Sequence, residues 1–285
     1  MADKIDTRAV GLDVGLAFIR WLTGAGNLHY GLWTGLEVTA GNLRAAQEAY
    51  TAKLFGFLPE GRLRVLDIGG GAGETARKLI ALGHTVEIVV PSAFLAERCR
   101  ETAKGAVVHE CTFEEFAGTG PFDLCLFSES FQYIPMAESL PKCARLLTPE
   151  GQVLIADCFR TDAYKGRAAE GPQAGGGHRL DAFRSALDGS EFGVGAEEDI
   201  TDAVAPSIDL EQALFNVIGH GVMRVSEEIR LKKPAAHWTL TRFIGLFLTA
   251  KRRRNLMQRL SGTDRNADAF RRYNRYLMLR LTRKA

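Results

Sequence analysis

The stretch 65-VLDIGGGAGETA-76 organises the reading of this chain. A short aliphatic run ends at an acid, Asp67. Four glycines, Gly69, Gly70, Gly71 and Gly73, then crowd into five positions before a helix-compatible segment begins. A glycine-rich turn between a strand and its helix lets the backbone come close to a ligand, at the crevice where doubly wound sheets bind nucleotides.

Outward from that turn, short β-branched runs alternate with helical periods, the pattern of a parallel sheet covered by helices. The expected strands are 63–68, 85–90, the run AVVHE (106–110), 122–128 and 151–159, with helices at 73–83, 92–103 and 135–147 between them. The glycine-rich segment 160–178 reads as a mobile loop, followed by a short helix (179–188) and a strand-like run (192–201). Mostly helical patterns fill the next 70 residues or so before 275–283 alternates like a last strand. The expected architecture is a doubly wound, Rossmann-like α/β fold with a mostly parallel seven-stranded sheet. An N-terminal helical lid (1–60) precedes the cofactor-binding core (61–201), and a helical cap (202–272) is inserted before the final strand (273–285).

Bulk composition fits a globular chain, with 46% apolar residues over 285 positions. Five cysteines, at 99, 111, 125, 143 and 158, form no CxxC pair and no regular spacing, so they are expected to be structural and reduced, in the cytoplasm. No metal site is expected. Asp3, Asp6 and Asp13 interrupt the apolar N-terminus, unlike a secretory signal, and no stretch approaches the ~18 apolar residues of a membrane span. Charge is uneven. Residues 251–285 hold twelve Lys or Arg against two Asp, leaving the remainder net acidic.

Three ligand readings compete at the glycines. A P-loop requires Lys then Ser or Thr after its last glycine, whereas Glu74 and Thr75 follow here. A dinucleotide fingerprint wants an acid ending the second strand, where Val90 and Pro91 stand. The third reading, an S-adenosylmethionine pocket, is carried by a resemblance. Asp67, Gly69, Gly71 and Gly73, with 122-FDLCLFSESFQYIP-135 and 145-RLLTPEGQVLIAD-157, resemble the motifs of class I S-adenosylmethionine-dependent methyltransferases. The segment 27-NLHYGLW-33 is similar to the His-Tyr-Gly-x-Trp segment of methyltransferases of sterols, tocopherols and related lipids.

That resemblance implies that Gly69, Gly71 and Gly73 flank the methionine part of the cofactor and that Asp67 orders the loop around its amino group. It places Tyr30 and Trp33 over the cofactor, where an aromatic face favours a sulfonium cation. Thr112 and Phe113 would lie near the adenine and Ser128 at the end of the fourth strand. Val90 replaces the usual ribose-binding acid, as in the cyclopropane fatty acid synthase and sterol methyltransferase branch, so the ribose contact stays unassigned.

Methyl transfer is an in-line displacement in which positioning dominates, but a carbon or hydroxyl nucleophile must still lose a proton. Glu129 and Tyr133, after the fourth strand, and His178, ending the loop run GGGH, are the candidate catalytic residues. A loop-ordering hydrogen bond is the competing role for Glu129. Cyclopropane synthases carry a Glu-His pair where Gln132 and Tyr133 stand, which favours simple methylation of carbon or oxygen over ring formation. The expected acceptor is a small hydrophobic molecule: an unsaturated fatty acyl chain, a prenyl or terpenoid compound, or a quinone-like lipid. The runs 243-FIGLFLTAKRRR-254 and 271-RRYNRYLMLRLTRK-284 suit peripheral contact with the inner face of a membrane. A nucleic-acid methyltransferase and a non-catalytic cofactor- or lipid-binding protein are the alternatives. No RNA-binding module and no Asn-Pro-Pro-Tyr-like tetrad supports the former.

Overall fold

The computed structural model describes residues 7–166, 174–247 and 249–284. Helices α1 (Thr7–Thr23) and α2 (Leu43–Phe55) precede an alternating core: β1 (Arg64–Ile68), α3 (Glu74–Ala81), β2 (Thr85–Val89), α4 (Ala93–Thr102), β3 (Val107–His109) and β4 (Phe122–Ser128). A 3-10 turn (Phe131–Tyr133), α5 (Met136–Leu146) and β5 (Leu147–Arg160) follow. The chain then forms β6 (His178–Arg179), α6 (Leu180–Asp188) and β7 (Phe192–Asp199). It leaves the sheet through α7 (Thr201–Val204), α8 (Pro206–Lys232), α9 (Pro234–Phe247), α10 (Ala250–Ser261) and α11 (Ala267–Tyr273), and closes on β8 (Asn274–Arg283).

The strand order is β3-β2-β1-β4-β5-β8-β7. β1 to β5 pair in parallel, and β8 lies antiparallel between β5 and β7. These are the seven expected strands. The eighth, β6, is a two-residue addition: β5 runs four residues past Ala156, its last partner on β4, and His178 and Arg179 pair with the open edge at Phe159 and Arg160. The loop expected to be mobile, 160–178, lies partly outside the described residues, at 167–173.

Alternating side chains send each strand into two cores, as expected of a sheet covered on both faces. Val65, Ile88, Leu124, Leu126 and Leu154 meet one helical layer, while Leu66, Cys125, Phe127, Val153 and Ile155 meet the other. The five cysteines are free, and Cys99, Cys125, Cys143 and Cys158 are buried among apolar neighbours. Because the chain runs outward from β1 to β2 and β3, then crosses back to β4, the direction of winding reverses between β1 and β4. Their carboxyl ends open a crevice at that switch point.

Candidate active site

A cavity of about 490 Å³ occupies this crevice. Its floor is the β1–α3 turn from Asp67 to Ala72, with Glu74 and Thr75. Val89, Val90, Pro91 and Phe113 supply an apolar side, and Ser128, Glu129 and Tyr133 stand at the end of β4. Gly26, Asn27, Leu28 and His29 close it from the N-terminal segment.

The glycines clear room more than they offer donors. The N–H groups of Gly69, Gly71 and Gly73 donate to Val89 O, Gly69 O and Gly70 O, so all three are used within the turn. Gly69 has φ +78°, and a Cβ there would stand 2.3 Å from Ser130 Cβ, so the position excludes any side chain. Gly71 also has positive φ, at +55°, but a Cβ there would meet only Leu28 Cδ1, at 3.9 Å.

Two buried polar side chains on the wall have atoms without partners. Asp67 is 1% exposed, its Oδ2 accepts no hydrogen bond, and burial pushes its carboxyl up to about 7. Asn27 is equally buried; its side-chain carbonyl has no partner, while its amide is turned toward the Glu48 carboxylate. Buried polar atoms of this kind carry a desolvation cost until something pairs with them. The segment holding Asn27 is fixed from behind: Gln47 Nε2 donates to both Asn27 O and His29 O at 3.0 Å.

Polar groups at the β4 end are tied within the protein. Glu129, whose φ of +56° is the one positive value among described non-glycine residues, accepts at Oε1 from Tyr30 N (2.8 Å) and Tyr276 Oη (3.0 Å). A proton on this acid therefore sits on Oε2. Tyr276 Oη is 2.7 Å from Tyr50 Oη, which is 3.2 Å from Ser128 Oγ, so a hydroxyl chain connects two cavity residues through the core. Burial, reinforced by the nearby Asp157 and Glu211 charges, pushes Glu129 up to about 8 despite those two donors. Behind it Asp157, fully buried, accepts from Gln132 N, Gln132 Nε2 and Cys158 N, and burial pushes it up to about 7.

The structure thus brings Asp67, Gly69, Gly71, Thr112, Phe113, Ser128, Glu129 and Tyr133 to one cavity. Gly73, Tyr30, Trp33 and His178 lie elsewhere. Gly73 precedes α3 and packs on Cys99, with space for a Cβ only 3.1 Å from Cys99 Cα. The aromatic pair turns away from the cavity: the Tyr30 ring packs edge-on against Phe270 and Tyr276, and buried Trp33 donates from Nε1 to Ser207 Oγ at 2.8 Å. Leu28 and His29 face the cavity from this segment instead. His178 Nε2 lies 3.0 Å from Phe131 O and 2.9 Å from Ile134 O. Both partners are acceptors, so Nε2 carries the proton and the ring clamps the 3-10 turn. Thr112 lines the cavity, but its hydroxyl and Glu115 cap each other's backbone in a reciprocal box. Sequence reasoning missed Asn27 and Tyr276. Asn27 stands close to two aromatics, and Tyr276 alternates as an apolar strand residue does, so neither carries a local signal.

Residues 66–155 match the methyltransferase domain family. That match runs from within β1 to within β5. The chain's curated relatives include an uncharacterised methyltransferase of Geobacillus kaustophilus, 32% identical over 122 residues, 41% of this chain and 57% of that protein. A ubiquinone biosynthesis O-methyltransferase of a Caulobacter strain is 34% identical over 108 residues, 35% of this chain and 42% of that protein. The chain thus spans about half the length of the curated relatives it matches. Whole-chain likeness appears in solved structures. A cyclopropane synthase of Mycobacterium tuberculosis superposes with a TM-score of 0.68 at 17% identity, covering 99% of this chain and 100% of the other. A geranyl diphosphate C-methyltransferase of Streptomyces coelicolor, solved with S-adenosyl-L-homocysteine, gives 0.63 at 13% identity, covering 94% and 92%. At such identities they show a shared fold, which extends over nearly the whole chain.

Proposed function

We propose that this chain is an S-adenosylmethionine-dependent methyltransferase that methylates a carbon or oxygen of a small hydrophobic acceptor. Candidate acceptors are an unsaturated fatty acyl chain, a prenyl or terpenoid compound, or a quinone-like lipid. The observation that carries the reading is the conjunction of two unpartnered buried oxygens, Asp67 Oδ2 and Asn27 Oδ1, with a glycine-cleared floor and a part-buried acid at the end of β4. These residues fit the cofactor's chemistry. An ammonium matches the free oxygens of Asp67 and Asn27, and Val89, Val90 and Phe113 offer an apolar slot to a base.

When bound, S-adenosylmethionine supplies a methyl group activated by positive sulfur. This chain's part is to orient the acceptor, exclude water and manage a proton. Glu129 is the candidate for the last task. A carboxyl raised to about 8 is a stronger base, once ionised, than an ordinary carboxylate, and Tyr276 and the Tyr30 N–H hold it in place. Support for a hydrophobic acceptor comes from the names of similar proteins: a cyclopropane synthase, a geranyl diphosphate C-methyltransferase and an enzyme of ubiquinone biosynthesis. Four buried, free cysteines accord with a reducing, intracellular setting.

The test is transfer of labelled methyl from S-adenosylmethionine into a membrane lipid extract, with hydrophilic small molecules and RNA as parallel acceptors. Label recovered in lipid is the expected result. Label confined to hydrophilic products or RNA would overturn the acceptor class, and none with any acceptor would favour a protein that binds without catalysis.

A further inference from the structure

The second half of α8, with α9 and the start of α10, carries an outward face that the cavity does not use. In α8 the buried residues are Ser207, Ile208, Gln212 and Gly219; past Gly219 none is buried. Gly219 is the last buried position of α8, and a Cβ there would stand 2.0 Å from Leu260 O of α10. Beyond it α8 touches α9, with Ser226 Oγ 3.3 Å from His237 Nε2, and exposes apolar side chains among its polar ones. Val222, Val225 and Leu231 are exposed, as are Trp238 and Leu240 of α9 and Leu256 of α10, with Trp238 62% exposed. No helix among the described residues is long and apolar enough to cross a membrane.

The same segment is strongly cationic. Residues 217–256 hold nine Lys or Arg against two Glu, a net charge of +7. Both glutamates are paired, Glu227 with Arg224 and Glu228 with Lys232. Arg230, Lys233, Arg242, Arg252, Arg253 and Arg254 are exposed without a carboxylate partner among the described residues, and Arg242 lies 5.0 Å from the Trp238 ring. A large exposed apolar patch ordinarily marks a docking surface. Charge selects the occupant: a second copy would set +7 against +7, whereas an anionic bilayer offers both an apolar layer and a negative surface.

We infer that the α8–α10 face docks on an anionic lipid surface, with Trp238 and its apolar neighbours at the acyl boundary and the arginines of 252–254 among the headgroups. This inference does not depend on the cofactor reading. It gives the expectation of membrane contact a location, chiefly on α8 and α9, whereas 271–284 is taken up mostly by β8 and the sheet.

The experiment is co-sedimentation of the full chain with vesicles of phosphatidylglycerol and of phosphatidylcholine. Trp238 emission is followed in a Trp21→Phe background, since Trp21 of α1 is also exposed. Binding to phosphatidylglycerol vesicles, a blue shift on binding and weakening with salt are expected. Changing Arg252, Arg253 and Arg254 together to Gln should lower affinity on the order of 100-fold, and Trp238→Glu should abolish the shifted binding. Both variants alter exposed side chains, and unchanged circular dichroism would confirm that they fold. Equal binding to both vesicles, no binding, or self-association that Trp238→Glu abolishes would overturn the inference.

Discussion

The cavity has two ends built on different terms. Where the β1–α3 turn meets the N-terminal segment, Asp67 Oδ2 and Asn27 Oδ1 are buried with no protein group to satisfy them. At the β4 end, Glu129, Asp157 and His178 are each held by two or more hydrogen bonds. Groups left unsatisfied in a buried wall need a visitor, whereas groups already satisfied hold the wall in shape. The difference assigns ligand recognition to the first end and positioning to the second, with Glu129 belonging to both because it also faces the cavity.

Substitutions at the two ends should therefore separate stability from binding. Asp157→Ala strands three N–H donors and should cost about 3 kcal/mol of folding stability by denaturant titration. Asn27→Ala removes an unpaired carbonyl and an amide turned toward the half-exposed Glu48, so it should change ligand-free stability by no more than about 1 kcal/mol while weakening cofactor binding roughly tenfold. Comparable destabilisation by both would break the distinction. His178→Ala frees Phe131 O and Ile134 O and should cost about 1–2 kcal/mol, loosening the 3-10 turn without abolishing cofactor binding. Loss of cofactor binding in that variant would return His178 to the ligand site.

Tyr276→Phe sharpens the position of Glu129. Losing one donor should cost about 1 kcal/mol of stability and move the acidic limb of the pH–activity profile upward, because the ionised carboxylate loses a stabilising hydrogen bond. An unchanged profile would argue that Glu129 handles no proton. The smallest effect is on stability against pH. Asp67 at about 7 and Glu129 at about 8 bind protons more tightly folded than unfolded. Their contribution is complete only below about pH 4, falls as pH rises and is gone above about 8, so the ligand-free Tm should fall by several degrees from pH 5 to pH 8.5. Asp67→Asn should flatten part of that slope.

Much of the sheet was legible because its determinants are local. Aliphatic runs of five to seven residues, Gly69, and the Ser92 cap of α4 each leave a mark at known spacing. The site was legible where its residues sit in the same turns: Asp67 to Gly71 and Ser128 to Tyr133. It was not where tertiary packing chose which side chain faces inward. In 27-NLHYGLW-33, Gly31 lets the backbone lie against α2, leaving space for a Cβ only 2.6 Å from Ala46 Cβ. That close approach turns Trp33 toward Ser207 and leaves Asn27 at the cavity. Nothing in periodicity records such a turn. Tyr276, nearly 150 residues from Glu129 in sequence, meets it only because β8 inserts beside β5.

The central claim, that the bare end of the cavity holds S-adenosylmethionine, is tested most directly by thermal unfolding with S-adenosylmethionine, S-adenosylhomocysteine and NAD. Wild type would be compared with Gly71→Arg, a substitution that enters open space in the cavity. The account predicts that the first two ligands raise the wild-type Tm, that NAD does not, and that the variant folds but shows no response. Stabilisation by NAD alone, or an equal response in the folded Gly71→Arg protein, would contradict it.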